Sequence, residues 1–351
     1  MRTALFLSAL PLSAAAMSWK VDPSWPKGMP ETATYFSAIA IDKQKNVHVS
    51  VRVNSTEPVL VFSDEGELVD GWGAEEIFVD PTGVFGGHGM TYDPDQDRMW
   101  IADILDHSVK AFDTTPAHSL LASAGTRGTE GSELDTLQFG SVADVAVGGG
   151  AWSGSLWTSD GDGGINNRVA RLDTTQGDDK ISKHPLWVDD AADSPDMFSS
   201  PHSIAFHVAT ASLVVADRDN YRLQVLDAAS GEVLNVLKGE GCFGSPSSGT
   251  TAPWGVRVLG DMLVVAVCDS PETGSNQRLM VLSVEDMRSG GKCEVEAEVE
   301  VDPVLCLTPH EMAVDGDTGD IFLACVTFAD PNTGASASNV QRYRMAGGVK
   351  R

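Results

Sequence analysis

Six short segments of this chain can be laid beneath one another, and that repeat constrains the fold more than any other feature. Their first residues are Ser37, His88, Ser141, His202, Trp254 and His310, so successive starts lie 51, 53, 61, 52 and 56 residues apart. Each opens an alternating run, as in Ser37-Ala-Ile-Ala-Ile-Asp42 and His202-Ser-Ile-Ala-Phe-His207. A second run follows after a turn rich in Gly, Asp or Asn, for example Met99-Trp-Ile-Ala-Asp103 and Leu213-Val-Val-Ala-Asp217. A third follows again, for example Val109-Lys-Ala-Phe112 and Leu223-Gln-Val-Leu226. Period-two patterning with turn punctuation is the signature of strands. A repeat of this length built from several strands matches one four-stranded propeller blade. The expected architecture is therefore all-β, a six-bladed β-propeller over residues 35–345, with a lead-in at 17–34, a tail at 346–351 and no second domain. Glu294-Val-Glu-Ala-Glu-Val-Glu300 reads as the outermost strand of blade five, with its glutamates on the solvated face. A calcium-binding run is the rival for that segment, but period-two strands point alternate side chains apart.

Charge narrows the choice of partner. The chain carries 24 Lys+Arg against 50 Asp+Glu, a formal net charge of -26. Such a surface repels phosphate backbones and anionic lipid, which argues against nucleic acid and membrane partners. Arg2, the apolar stretch from Ala4 to Leu12, and the small residues Ser13 to Ala16 form a signal-peptide pattern over 1–16. A secreted or secretory-lumen protein is expected, with Asn54-Ser55-Thr56 as a glycosylation acceptor. All 5 cysteines fall in the last third, at 242, 268, 293, 306 and 325, with no CxxC pair. One or two disulfides with at least one thiol left over are expected in that compartment.

The histidines carry the chemistry. Of 8, three occupy the same slot at the start of an inner strand: His88, His202 and His310. They fall on blades two, four and six, and alternate blades of a six-fold ring converge on its axis. Three neutral imidazoles with an open position form the donor set of a catalytic zinc site, and the same imidazoles would also suit copper, nickel or iron. His48, His107, His118, His184 and His207 share no such register and read as surface or satisfied polar residues. The loop Gly83-Val-Phe-Gly-Gly87 lacks the Lys and helix of a phosphate loop. Asp160-Gly-Asp-Gly-Gly and Asp315-Gly-Asp-Thr-Gly lack the distal glutamate of a calcium loop and read as turns.

At these residues the chain resembles the peptidyl-α-hydroxyglycine α-amidating lyases, six-bladed propellers related to NHL-repeat proteins. The matching segments are Gly87-His-Gly-Met with Ile101-Ala-Asp103, Ala143-Asp-Val-Ala with Ser159-Asp-Gly161, Pro201-His-Ser-Ile with Ala216-Asp-Arg-Asp-Asn220, and Thr308-Pro-His-Glu311. The resemblance implies zinc on His88, His202 and His310. It also implies a structural calcium on the carbonyls of Ile39 and Met90 and the side chain of Glu311, where the family has Asp. Arg52 and Arg218 fall where that family has arginines near the substrate, and the planar fork of Arg52 suits a carboxylate.

One departure concerns the family's catalytic tyrosine, whose place after Ser-Asp-Gly holds Asp162 here. Asp162, with a pKa raised by burial, or Tyr221 beside Arg218 would then serve as the base. The implied reaction cleaves a peptidyl-α-hydroxyglycine to an amidated peptide and glyoxylate, with a separate monooxygenase supplying the substrate. Two rivals stand beside it: a non-catalytic propeller with a structural axial zinc that binds a peptide or protein, and a lactonase-like hydrolase. Lactonase-like propellers hold their metal with carboxylates, whereas this axis presents histidines.

Overall fold

The computed structural model describes residues 17–175, 180–189, 197–239, 242–244, 251–268, 277–288, 290, 293–302, 305–326 and 339–346. The expected signal segment at 1–16 and all but the first residue of the expected tail lie outside them.

The described strands form six four-stranded antiparallel sheets, each ordered from an inner to an outer strand. The inner strands are Thr34–Ile41, Gly87–Asp93, Val142–Val147, Pro201–His207, Ala252–Leu259 and Thr308–Val314. Blade five ends on Val295–Glu300, the acidic alternating run, in which Val299 is buried while Glu298 and Glu300 are exposed. Blade six closes the ring. Its outermost strand is Trp19–Val21, drawn from the expected lead-in and paired antiparallel with Val340–Met345 near the C-terminus. Trp19 is buried and its indole Nε1 donates to the Gly319 carbonyl at 2.8 Å. The first and last described strands thus hold one another.

The core is six interblade layers. Val214 and Ala216 join the cluster between blades four and five, whereas Leu213 and Val215 face blade three. Both faces of each middle strand are therefore buried, which explains why runs such as Leu213-Val-Val-Ala216 are continuously apolar. Each fully buried Val, Leu or Phe of such a layer contributes about 1.5–3 kcal/mol. Two disulfides, Cys242–Cys293 and Cys306–Cys325, fasten the fifth and sixth blades, and Cys268 is buried outside both. Among the described residues no helix is long and apolar enough to cross a membrane.

Every inner strand carries a β-bulge at the same place. The residue skipped by the pairing register is Ser37, His88, Ala143, His202, Trp254 or His310 in blades one to six. Bulges locally re-aim a side chain. This is the slot of the histidines, and in blade three it falls on Ala143, two residues beyond Ser141.

Candidate metal centre

The bulge brings His88, His202 and His310 together. Their ligand-capable atoms all lie within 4.8 Å of one another, and all three residues are buried. Each ring Nδ1 meets the carbonyl of the bulge residue on the next blade. His88 pairs with Ala143 O at 2.8 Å, His202 with Trp254 O at 2.9 Å, and His310 with Ser37 O at 2.6 Å. Even blades supply imidazoles and odd blades supply carbonyls, all from one slot. A carbonyl only accepts, so each Nδ1 carries a proton and each ring turns its Nε2 toward the other two. Burial, then the Arg218 charge, holds the pKa of His202 well below the usual histidine range. Burial and the two neighbouring imidazoles do the same for His310. Within this cluster, the buried His202 Nε2 has no hydrogen-bond partner. Three buried ring nitrogens converging on one point, one of them without a partner, suit a divalent transition metal, so the residues fit zinc.

Asp162 reaches the same point from the loop after the second strand of blade three. Its Oδ2 lies 3.2 Å from His88 Nε2 and 4.0 Å from His202 Nε2. Its Oδ1 pairs with Arg218 Nη1 at 2.9 Å. Burial pushes its pKa up, but His88 and Arg218 prevail and hold it well below the usual carboxylate range. The raised pKa expected of a resting base is therefore not found, because the chain places His88 and the Arg218 guanidinium on the carboxylate. Arg218 also pairs with Asp219 at 2.9 Å and lies 4.7 Å above the Trp254 ring.

Arg52 flanks the site from blade one. Its Nε donates to Phe85 O at 2.9 Å, and the Phe85 N–H donates back to Arg52 O at 2.9 Å. The glycine-rich loop at 83–87 thus braces this arginine. Tyr35, which the sequence pattern does not single out, lies with its ring 5.4 Å from the Arg52 guanidinium. Its phenol is pushed up by burial, against Arg52, with Asp162 and Arg218 also acting on it. Tyr35 holds φ at 64°, a left-handed conformation uncommon for a bulky residue and enriched at functional sites. Tyr221 does not join the site: it packs against the cluster between blades four and five.

One layer along the axis lies the ring that the resemblance assigns to calcium. Ile39 and Met90 are buried inner-strand residues, and Glu311 is buried beside the axis. A cation of the chain itself is already there. Arg257 Nη1 lies 2.8 Å from Asp144 Oδ2, and Nη2 lies 3.2 Å from Glu311 Oε2 and 3.4 Å from Met90 O. The opposing carboxylates strengthen the charge of Arg257 against its burial. Burial, opposed by Arg257, pushes Glu311 upward. Calcium requires six to eight oxygen ligands, and Arg257 already sets a positive charge beside Glu311 and the Met90 carbonyl, with both Glu311 carboxylate oxygens left without a hydrogen-bond partner. Gly89 keeps this layer tight, since a Cβ there would stand 2.4 Å from Ala143 O, the acceptor of His88.

The chain is 31% identical over 335 residues to mouse NHL repeat-containing protein 3, covering 93% of this chain and 84% of that protein. The chain belongs to the NHL repeat-containing protein family. No family model matches it. A second relative of this NHL-repeat protein is a probable peptidyl-α-hydroxyglycine α-amidating lyase of Caenorhabditis elegans. It is 27% identical over 180 residues, covering 51% of this chain and 46% of the nematode protein. Among solved structures, a Bacteroides thetaiotaomicron protein of unknown function superposes with a TM-score of 0.57 at 14% identity. That superposition covers 95% of this chain and 74% of the other, and bears on the fold alone.

Proposed function

We propose that this NHL-repeat propeller is a metal-dependent lyase acting on peptides that end in α-hydroxyglycine. The observation that carries the reading is the company of the three histidines: Asp162 and Arg218 stand beside them, and Arg52 with Tyr35 lies within electrostatic reach of Asp162. A purely structural staple has no use for two arginines and a strained tyrosine there. The partial similarity to the nematode lyase supports it.

His88, His202 and His310 would hold the zinc, which when bound supplies Lewis acidity to an alcohol oxygen. The chain's own residues do the rest. Arg52, with Nε engaged by Phe85, presents its remaining N–H edge to the substrate carboxylate and later to glyoxylate. In a chain of net charge -26, this pair of arginines is a local attractor for an anionic peptide end. Asp162, held ionised by Arg218, accepts the α-hydroxyl proton. The C–O bond then becomes a carbonyl, the C–N bond breaks, and the amide nitrogen takes up a proton. The products are an amidated peptide and glyoxylate, and a separate monooxygenase would make the substrate. Two disulfides support an oxidising, secretory compartment.

A second reading has its own observation. Asp162 stands close enough to His88 to fill an open metal position, as in a binding propeller with a structural metal. Release of glyoxylate from a synthetic α-hydroxyglycine peptide, with and without added zinc, decides between the two. Metal-dependent release supports the lyase; metal-loaded protein that releases none favours the binder.

A further inference from the structure

We propose that Asp162 is the fourth protein ligand of the axial metal, completing a set of three imidazoles and one carboxylate that leaves no vertex open at rest. This rests on the reading of His88, His202 and His310 as a metal site, but not on the lyase activity.

The three Nδ1 atoms are committed to carbonyls of blades one, three and five, which leaves the three Nε2 atoms to face one another. Asp162 Oδ2, itself only an acceptor when ionised, lies 3.2 Å from one of those Nε2 atoms and 4.0 Å from another. A nitrogen and a carboxylate oxygen so close share a cation, either a proton on His88 Nε2 or, when metal is bound, the metal itself. Tetrahedral ligands on bonds of 2.0–2.1 Å stand about 3.3 Å apart, close to the shorter of these separations.

The carboxylate is also built into place. The N–H groups of Gly161 and Asp162 donate to Ser141 O at 2.9 and 3.2 Å, which fixes the loop. A Cβ on Gly161 would stand 2.5 Å from Pro201 Cδ, so only glycine lets this loop approach the strand carrying His202. The second oxygen is held by Arg218, and Arg218 by Asp219 and the Trp254 face. Ligating carboxylates are ordinarily oriented by such an outer partner. A substrate hydroxyl would then have to displace Asp162, and the freed carboxylate would lie beside the proton it takes.

The test uses cobalt(II) in place of zinc, on the full chain. Asp162→Ala should lower cobalt affinity at least about 100-fold in a chelator competition and change the visible spectrum toward higher coordination number. Asp162→Cys should gain a near-ultraviolet thiolate-to-cobalt charge-transfer band that the wild type lacks. The cysteine variant keeps the test open if the alanine variant fails to fold. Unchanged affinity and spectrum in Asp162→Ala, or no new band in cobalt-loaded Asp162→Cys, would overturn the proposal. Wild type that binds no cobalt would instead sink the three-histidine site itself.

Discussion

Replacing Arg257 with alanine should destabilise the propeller more than any other single change near the axis, and should make it respond to calcium. Arg257 stands between Asp144 and Glu311 at 2.8 and 3.2 Å, and both carboxylates are fully buried. Asp144 also accepts from Ser203 Oγ at 2.9 Å and from the Ile204 N–H at 3.1 Å, so it cannot turn away. Removing one partner from a buried ion pair costs about 3–5 kcal/mol, because the remaining charge is left uncompensated. At about 2 °C per kcal/mol for a chain of this size, the melting temperature should fall by roughly 6–10 °C. The cavity left would be lined by Asp144, Glu311 and the Met90 carbonyl, a set of oxygens suited to calcium. Scanning calorimetry with and without millimolar calcium, using a calcium-selective chelator, measures both effects. Wild type should be indifferent to calcium, and Arg257→Ala should recover part of its loss. A wild-type protein that melts lower in the chelator, or an alanine variant that melts unchanged, would refute the reasoning.

Three further outcomes follow from the same structure. Arg52→Ala should retain metal and fold while lowering glyoxylate release about 10²-fold, the scale of losing one charge-stabilising group, as read by a colorimetric glyoxylate assay. Trp19→Ala removes a buried indole and its bond to Gly319 from the strand that closes the ring, and should cost about 3–5 kcal/mol in denaturant unfolding. Replacing Cys306 and Cys325 together with serine opens a loop of sequence separation 19 and should cost about 3 kcal/mol by the same measurement.

Much of this molecule is legible in its sequence because a propeller repeats one instruction. Middle strands buried on both faces leave continuous apolar runs, and inner strands punctuated by turns recur at blade spacing. The three histidines stand out because they occupy one slot. Other features leave weaker marks. Trp19–Val21 is three residues long, too short for alternation to show, and its partner lies at the far end of the chain. The blade-three slot falls on Ala143 rather than Ser141, because a bulge is set by backbone pairing and alanine carries no side-chain marker. Tyr35 reaches the site through a left-handed backbone that no periodicity reports. Arg257 did leave a signal. Three residues beyond the slot the other blades carry Ala40, Thr91, Ala146, Ala205 and Ala313, and a lone arginine among small residues marks a filled axis. The depressed pKa of Asp162 was not legible, since it depends on Arg218 arriving from another blade.

Elemental analysis of purified protein tests the axial histidines most directly. About one transition-metal ion per chain is expected in the wild type. In His202→Ala, which removes one of the three imidazoles while leaving the propeller folded by circular dichroism, that metal should be largely lost. Wild type without metal, or His202→Ala with its metal content unchanged, would contradict the account.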